Sequence, residues 1–129
     1  MINEAIYTIL SGYAPLIAEI PTAKMYPLNA PQETTAPILI YSIASTTVEN
    51  NKDGGQIEHV LVEVDIYDRV YKTAHSNAQL VKMALNRYNG TINGVEIDTI
   101  LFEGLDDRGY NADMEEYRVA MGFRLRQKL

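Results

Sequence analysis

The chain has 129 residues, which suits one domain able to bury its own core without disulfides or metal. Its formal net charge is −6 and it has no cysteine, which argues against a nucleic-acid binder and excludes disulfides, thiolate catalysis and cysteine-bound metals. No apolar run approaches the roughly 20 residues that span a bilayer, and the N-terminus lacks the basic start of a signal peptide, so we expect a cytoplasmic protein or a particle assembled there.

The first third of the chain predicts one main helix and several short elements. Apolar residues at helical spacing predict an amphipathic helix over residues 2–13, with Gly12 near its end. A short helical turn is predicted at 16–20 and a short strand at 24–26, each followed by a proline that stops it. A proline-bearing loop at 29–36 leads to the next element.

A β-hairpin is predicted next. Residues 38–44 are β-rich and apolar on both faces, which is typical of a strand that is central or covered by a partner. The polar segment 49–56 is predicted to be a mobile hairpin loop. Residues 59–67 alternate strictly, so we expect Val60, Val62, Val64 and Ile66 to share the core face.

The second helix and its turn follow. An apolar stripe predicts a helix over residues 73–88, with Asn89-Gly90 as its stop signal. The tetrapeptide Ile92-Asn-Gly-Val95 predicts a two-residue hairpin turn.

Two strands separated by a polar loop with aspartates and glycines are predicted between Asp98 and Arg126. The second strand alternates strictly between an apolar face and a cationic face. The apolar face carries Tyr117, Val119, Met121, Phe123 and Leu125; the other carries Arg118, Ala120, Gly122, Arg124 and Arg126.

The order of elements predicts the fold class. Consecutive strands joined by hairpins imply an antiparallel sheet, and the helices are placed to cover one of its faces. We therefore predict a single domain over residues 1–129 of the α+β class, with a two-layer arrangement. It has a mostly antiparallel sheet of four to five strands and two main helices packed on one face.

Candidate chemical groups are few. The two histidines, His59 and His75, are predicted to lie on the surface, and neither belongs to a metal or triad motif. The segment from Glu49 to Gly54 resembles half a calcium loop, but Val60 stands where that motif needs a glutamate. We expect no catalytic residue, no cofactor and no metal site.

Two acidic pairs bracket the last loop, Asp106-Asp107 and Glu115-Glu116. Paired acids can do acid-base work, but neighbours along a strand face opposite sides, so solvated loop charge is the favoured interpretation.

The cationic face of the last strand has two interpretations. Arg118, Arg124, Arg126 and Lys128 could form a solvated face paired weakly with Glu63 and Asp65 on a neighbouring strand. They could instead contact an acidic surface of another subunit. Both hold if the outer face of the sheet becomes buried on assembly.

Loose sequence patterns along the whole chain resemble those of one family. They are Met25-Tyr-Pro27, Ala30-Pro-Gln32 with Pro37-Ile-Leu-Ile-Tyr41, Asp53-Gly-Gly55 before Val62-Glu-Val-Asp-Ile-Tyr67, the helix from Ala74 to Leu85, and Glu116-Tyr-Arg-Val-Ala-Met-Gly-Phe-Arg124. Together they resemble the tail completion proteins of long-tailed bacteriophages, also called tail terminators or tail-to-head joining proteins. Gly122 departs from that family, which often has aspartate there.

The resemblance implies a virion protein of the tail and the head-tail interface, assembled in the host cytoplasm. It implies a small α+β subunit that forms a ring with itself, commonly a hexamer. The ring would cap the tail-tube protein and dock the head connector or adaptor proteins. DNA would pass through its lumen without specific binding, and no membrane would be involved.

Two hypotheses of different class remain at this point. The leading one is the structural virion protein, whose candidate assembly contacts are Asn51, Lys52, Asp53, Gly54, Arg118, Arg124 and Arg126. The alternative is a small-molecule-binding or regulatory α+β domain, dimeric in form, which would need a pocket with convergent polar groups. An enzyme is a third, weaker hypothesis.

Overall fold

A mixed sheet of six strands organises the chain, in a computed structural model that describes residues 1–129. The helices are α1 (Ile2–Ser11), α2 (Ala14–Ile17) and α3 (Tyr71–Leu85), with a 3-10 turn at Thr22–Lys24. The strands are β1 (Met25–Pro27), β2 (Ile38–Asn50), β3 (Gln56–Asp68), β4 (Gly90–Ile92), β5 (Val95–Asn111) and β6 (Glu116–Lys128). None of the helices has both the length and the apolar content required for a membrane crossing.

The strand order is β1-β2-β3-β6-β5-β4. All neighbours pair antiparallel except β1, which lies parallel to β2 with Met25 opposite Leu39. The α+β class and the mostly antiparallel pairing agree with the prediction. The predicted four to five strands were too few, because the three-residue strand β4 joins one edge of the sheet, in addition to the predicted short strand β1 at the other edge.

One face of the sheet forms the core, as the alternating pattern predicted. Pairing of β3 with β6 places Val60 opposite Leu125, Val62 opposite Phe123 and Val64 opposite Met121, and all these side chains are buried. The apolar stripes of α1 and α3 belong to the same cluster. Burial of this cluster is the main force that holds the helices on the sheet.

Helix α3 is shifted from the predicted range of residues 73–88. It begins at Tyr71 and ends at Leu85. Asn86 adopts an extended backbone and its side-chain Oδ1 accepts the N–H of Phe102 at 3.0 Å. The next residue, Arg87, has a positive φ of 65° and its N–H bonds to the carbonyl of Ile100. Tertiary hydrogen bonds to β5 therefore end the helix before the Asn89-Gly90 signal.

Both long hairpin loops are shorter than predicted. The strands β2 and β3 continue to Asn50 and from Gln56, so the tip contains only residues 51–55. Backbone bonds hold that tip, with the Asn51 N–H donating to the Gly55 carbonyl at 2.8 Å. Similarly, β5 runs on through register shifts to Asn111, which confines the last tip to residues 112–115. The predicted turn at Asn93-Gly94 is confirmed, with φ values of 51° and 78°.

Candidate assembly surface

The face of the sheet opposite the helices carries the cationic strand face. We call it the outer face; its central residues come from β3 and β6. Register places Glu63 opposite Gly122, Asp65 opposite Ala120 and Tyr67 opposite Arg118. Because side chains alternate along a strand, these residues face away from the buried core of the same strands.

Every arginine of the predicted stripe has a carboxylate partner within the chain. Arg118 Nη2 donates to Asp65 Oδ2 at 3.0 Å and lies 3.9 Å from Glu63 Oε1. Arg124 Nε donates to Glu103 Oε1 at 2.8 Å, and Arg126 Nε lies 3.4 Å from Asp98 Oδ2. The expected partners on β3 therefore hold only Arg118, because β5 supplies the carboxylates for the other two.

Arg118 differs from the other two arginines because its carboxylate partner, Asp65, is largely buried. The side chain of Asp65 is only 11% exposed, whereas Glu103 and Asp98 are each 43% exposed. Burial alone would lower the pKa of Arg118, but the hydrogen bond and charge of Asp65 raise that pKa above its ordinary value. The Arg118–Asp65 pair is thus part of the folded structure, while Arg124 and Arg126 form solvated pairs that contribute little to its stability.

A shallow groove crosses the outer face where the central strands carry small residues. Its volume is about 280 Å³, and Ala120 and Gly122 lie at its base. A Cβ added at Gly122 would meet no atom within 4 Å, so the groove is open above this position. Charged side chains border it: Glu63, Glu103, Asp106 and Arg108.

The four predicted contact residues of the first hairpin lie together at its tip. Asn51, Lys52, Asp53 and Gly54 are all exposed, and the seven preceding residues of β2, from Ala44 to Asn50, are exposed as well. The ribbon therefore extends beyond the part of the sheet that the helices cover. Within the sheet, Arg126 lies opposite His59 on this side, while Arg118 lies near the other end of β6.

Asp107 is exposed, as predicted, but hydrogen bonds hold it in a strand rather than leaving it free in a loop. It lies in β5 and accepts the hydroxyl of Tyr71 at 2.6 Å and a contact from His75 Nε2 at 3.3 Å. The hydrogen bond from Tyr71 lowers the pKa of the Asp107 carboxyl and raises the pKa of the Tyr71 phenol. Tyr117 packs edge-on against Tyr71 with ring centroids 5.4 Å apart, so an aromatic and carboxylate cluster joins α3 to the closing hairpin.

The two histidines are partly exposed, in keeping with the surface prediction. His59 Nε2 contacts Glu49 Oε2 at 3.0 Å across the β2–β3 ribbon, and His75 belongs to the Asp107 cluster. No group of three or more His, Asp or Glu side chains could hold a metal ion.

The prediction for the second acidic pair was wrong for one of its two members. Glu115 is exposed in the turn, with a φ of 54°, but Glu116 is only 7% exposed. Glu116 is the first residue of β6 and is enclosed by the loop before β2 and by the β5–β6 hairpin, which the sequence pattern alone does not bring together. Burial raises the pKa of its carboxyl, and the positive charge of Arg69 offsets part of that rise.

Comparison with known proteins gives a family and a fold. The family model described as "Tail completion protein gp17" matches residues 4–128. A solved structure titled "Virion of native gene transfer agent (GTA) particle" contains a chain of similar fold, with a TM-score of 0.73 and 19% sequence identity. The match covers 98% of this chain and 93% of that chain. No curated protein matches the sequence.

Proposed function

The chain belongs to the tail completion protein gp17 family, structural proteins of the bacteriophage tail, and from that premise we propose that it closes the tail tube and joins it to the head. In this proposal the protein acts as a ring-forming subunit, commonly one of six, and catalyses no reaction. Its partners are further copies of itself, the tail-tube protein and the head connector or adaptor proteins. DNA passes through the lumen without being bound specifically.

The observation that carries this proposal is the polar outer face. It combines solvated ion pairs at Arg124 and Arg126 with a groove that has the small residues Ala120 and Gly122 at its base. The helices pack against the opposite face of the sheet. Exposed ion pairs contribute little to folding stability but set orientation and partner choice between chains. Such a face suits contacts that form late and in one register.

The projecting hairpin gives each subunit a second contact patch, which a ring requires. A ring is built from heterologous contacts, in which one patch of a subunit meets a different patch of its neighbour. The tip at residues 51–55 and the far end of the sheet around Arg118 are two such separate patches on one chain. Individually weak contacts then gain strength when closure makes them simultaneous.

The charge and the candidate reactive groups fit a part that assembles without chemistry. A net charge of −6 opposes adhesion to the DNA that must slide through the lumen. Asp107 and His75, which could carry acid-base chemistry, are engaged with each other and with Tyr71 at the junction of α3 and β5.

The proposal is tested by mixing the purified protein with tail tubes built from the tube protein of the same tail. We expect electron microscopy to show a ring on one end of each tube, and capped tubes to bind connector-bearing heads while bare tubes do not. A protein that leaves tube ends bare and forms a tight dimer would contradict the proposal and favour the regulatory alternative.

A further inference from the structure

The buried carboxylate of Glu116 lies in a cleft that no other part of the chain fills. The residue is only 7% exposed, and burial raises the pKa of its carboxyl although the positive charge of Arg69 offsets part of that rise. An ionised carboxylate removed from water is costly unless a cation or hydrogen-bond donor compensates it. Glu116 is therefore a buried carboxylate that the free subunit compensates only in part.

The cleft in front of Glu116 has the chemistry of a lysine site. Its volume is about 310 Å³, and its charged residues are Glu33 and Glu116, while Arg69 lies in the adjoining cleft that shares them. Its other walls are largely apolar and include Ile38, Ile40 and Met114. A lysine has an apolar stem and a terminal ammonium with three donors, so its stem would pack on these walls while its charge reaches the carboxylates.

Lys52 is the exposed lysine that lies in a projecting loop. Lys24 donates to the Thr35 carbonyl at 2.7 Å, and Lys82 lies over the Phe102 ring. Lys72 belongs to α3 and Lys128 to the end of β6, whereas Lys52 stands at the tip of the exposed β2–β3 ribbon. The pairing of Ile57 with Lys128 and of Asp68 with Tyr117 places this tip and Glu116 at opposite ends of the sheet, so the contact joins two different patches.

We propose that the cleft formed by Glu33, Glu116 and Met114 receives Lys52 from the hairpin of a neighbouring copy. This inference rests on the ring proposed above, and it names the contact that links one subunit to the next. It also gives the hairpin tip a receptor, in which the ammonium of Lys52 compensates Glu116.

The absence of native cysteine allows a direct test of this contact. The variant carrying Asp53→Cys and Met114→Cys, which retains Lys52, is assembled on tail tubes and treated with a short bismaleimide cross-linker. We expect a ladder of covalent oligomers that ends at the ring. The matched control carries Asp53→Cys and Ser76→Cys, the latter on the exposed side of α3, and should give no ladder.

A second measurement separates an assembly role from a folding role. Glu116→Gln should melt at or above the wild-type temperature, because it removes a buried charge whose desolvation Arg69 offsets only in part. Its half-saturating concentration for capping tubes should rise roughly 30-fold, the scale expected when one member of a buried intermolecular pair is lost. The exposed neighbour provides the control, and Glu115→Gln should change neither quantity.

The Lys52 side of the contact follows the same logic. Lys52→Met should weaken capping about as much as Glu116→Gln, Lys52→Arg should retain most of it, and the double variant should be no weaker than either single one. Rings that form normally without the ladder, or with additive effects of the two substitutions, would overturn this inference and leave the proposed function standing. Failure of the wild type to cap tubes at all would overturn both.

Discussion

Replacing Arg118 by glutamine should destabilise the fold, whereas the same change at Arg124 and Arg126 together should not. Arg118 bonds the carboxylate of Asp65 at 3.0 Å, and the Asp65 side chain is only 11% exposed. Removal of the guanidinium leaves that carboxylate without a cation in the outer face. Arg124 and Arg126 pair with Glu103 and Asp98, and every one of these four side chains is more than 40% exposed.

The expected magnitudes follow from these exposures. Breaking a fully buried ion pair costs about 3–5 kcal/mol, but the 41% exposure of Arg118 screens its charge, which reduces the expected cost to about 1–2 kcal/mol. In a chain of 129 residues that corresponds to a fall of roughly 4–8 °C in melting temperature. The double variant of Arg124 and Arg126 should lose less than about 1 kcal/mol in all, because each pair is solvated.

Thermal unfolding followed by circular dichroism, with tube capping across a salt series, distinguishes the two roles. Arg124→Gln with Arg126→Gln should fold normally, cap tubes less well and lose much of the salt dependence of capping. Asp65→Asn added to Arg118→Gln should recover part of the lost stability, since it removes the uncompensated charge. The reasoning is refuted if Arg118→Gln melts like the wild type while the double variant falls by several degrees.

Four further predictions concern the hairpins, the Asp107 cluster and the free protein. Deleting Asn51–Gly54 should leave the melting temperature nearly unchanged, because the tip is exposed, yet stop tail-to-head joining; a normal yield of joined particles would contradict this. Tyr71→Phe should make the stability fall less steeply below about pH 5. A carboxyl pKa that is lowered by folding contributes stability that is present above the unfolded pKa and lost as pH falls, and the variant returns the pKa of Asp107 toward its ordinary value. An unchanged loss of stability in acid would count against the Tyr71 bond. Gly94→Ala should cost about 1–2 kcal/mol in a denaturant titration, because φ at this turn is 78°, while Gly122→Ala should cost almost nothing. Light scattering at moderate salt should find the free protein monomeric or weakly associated, since its net charge of −6 opposes self-association, and a tight dimer would argue against the ring.

The parts of the fold that could be predicted are those that one segment determines alone. The alternation from Val60 to Ile66 reports which strand face is apolar, and the structure buries those residues against β6 and the helices. The Asn93-Gly94 turn needs two positive φ values, and few residue pairs accept them, so the turn was recognisable without knowledge of its surroundings.

The parts that could not be predicted depend on contacts between distant segments. Asn86 ends α3 because its side chain bonds to Phe102, and Tyr71 meets Asp107 although 36 positions separate them. No local pattern encodes such a partner, so the helix end was misplaced and the bonding partners of Asp107 were not foreseen. The short strand β1 was predicted, but its parallel pairing with β2 follows from where the chain returns after the first helices.

Glu116 shows why burial of a charge is the hardest of these features to foresee. Its neighbours in sequence, Asp113 and Glu115, are exposed, and an acidic loop end is ordinarily solvated. Enclosure comes from Glu33 and Thr34, more than 80 positions away in the chain, together with the turn at Met114. Folding thus places a carboxylate where the free subunit compensates it only in part, through the positive charge of Arg69. A cation from another chain would complete the site, because it would offset the remaining desolvation cost.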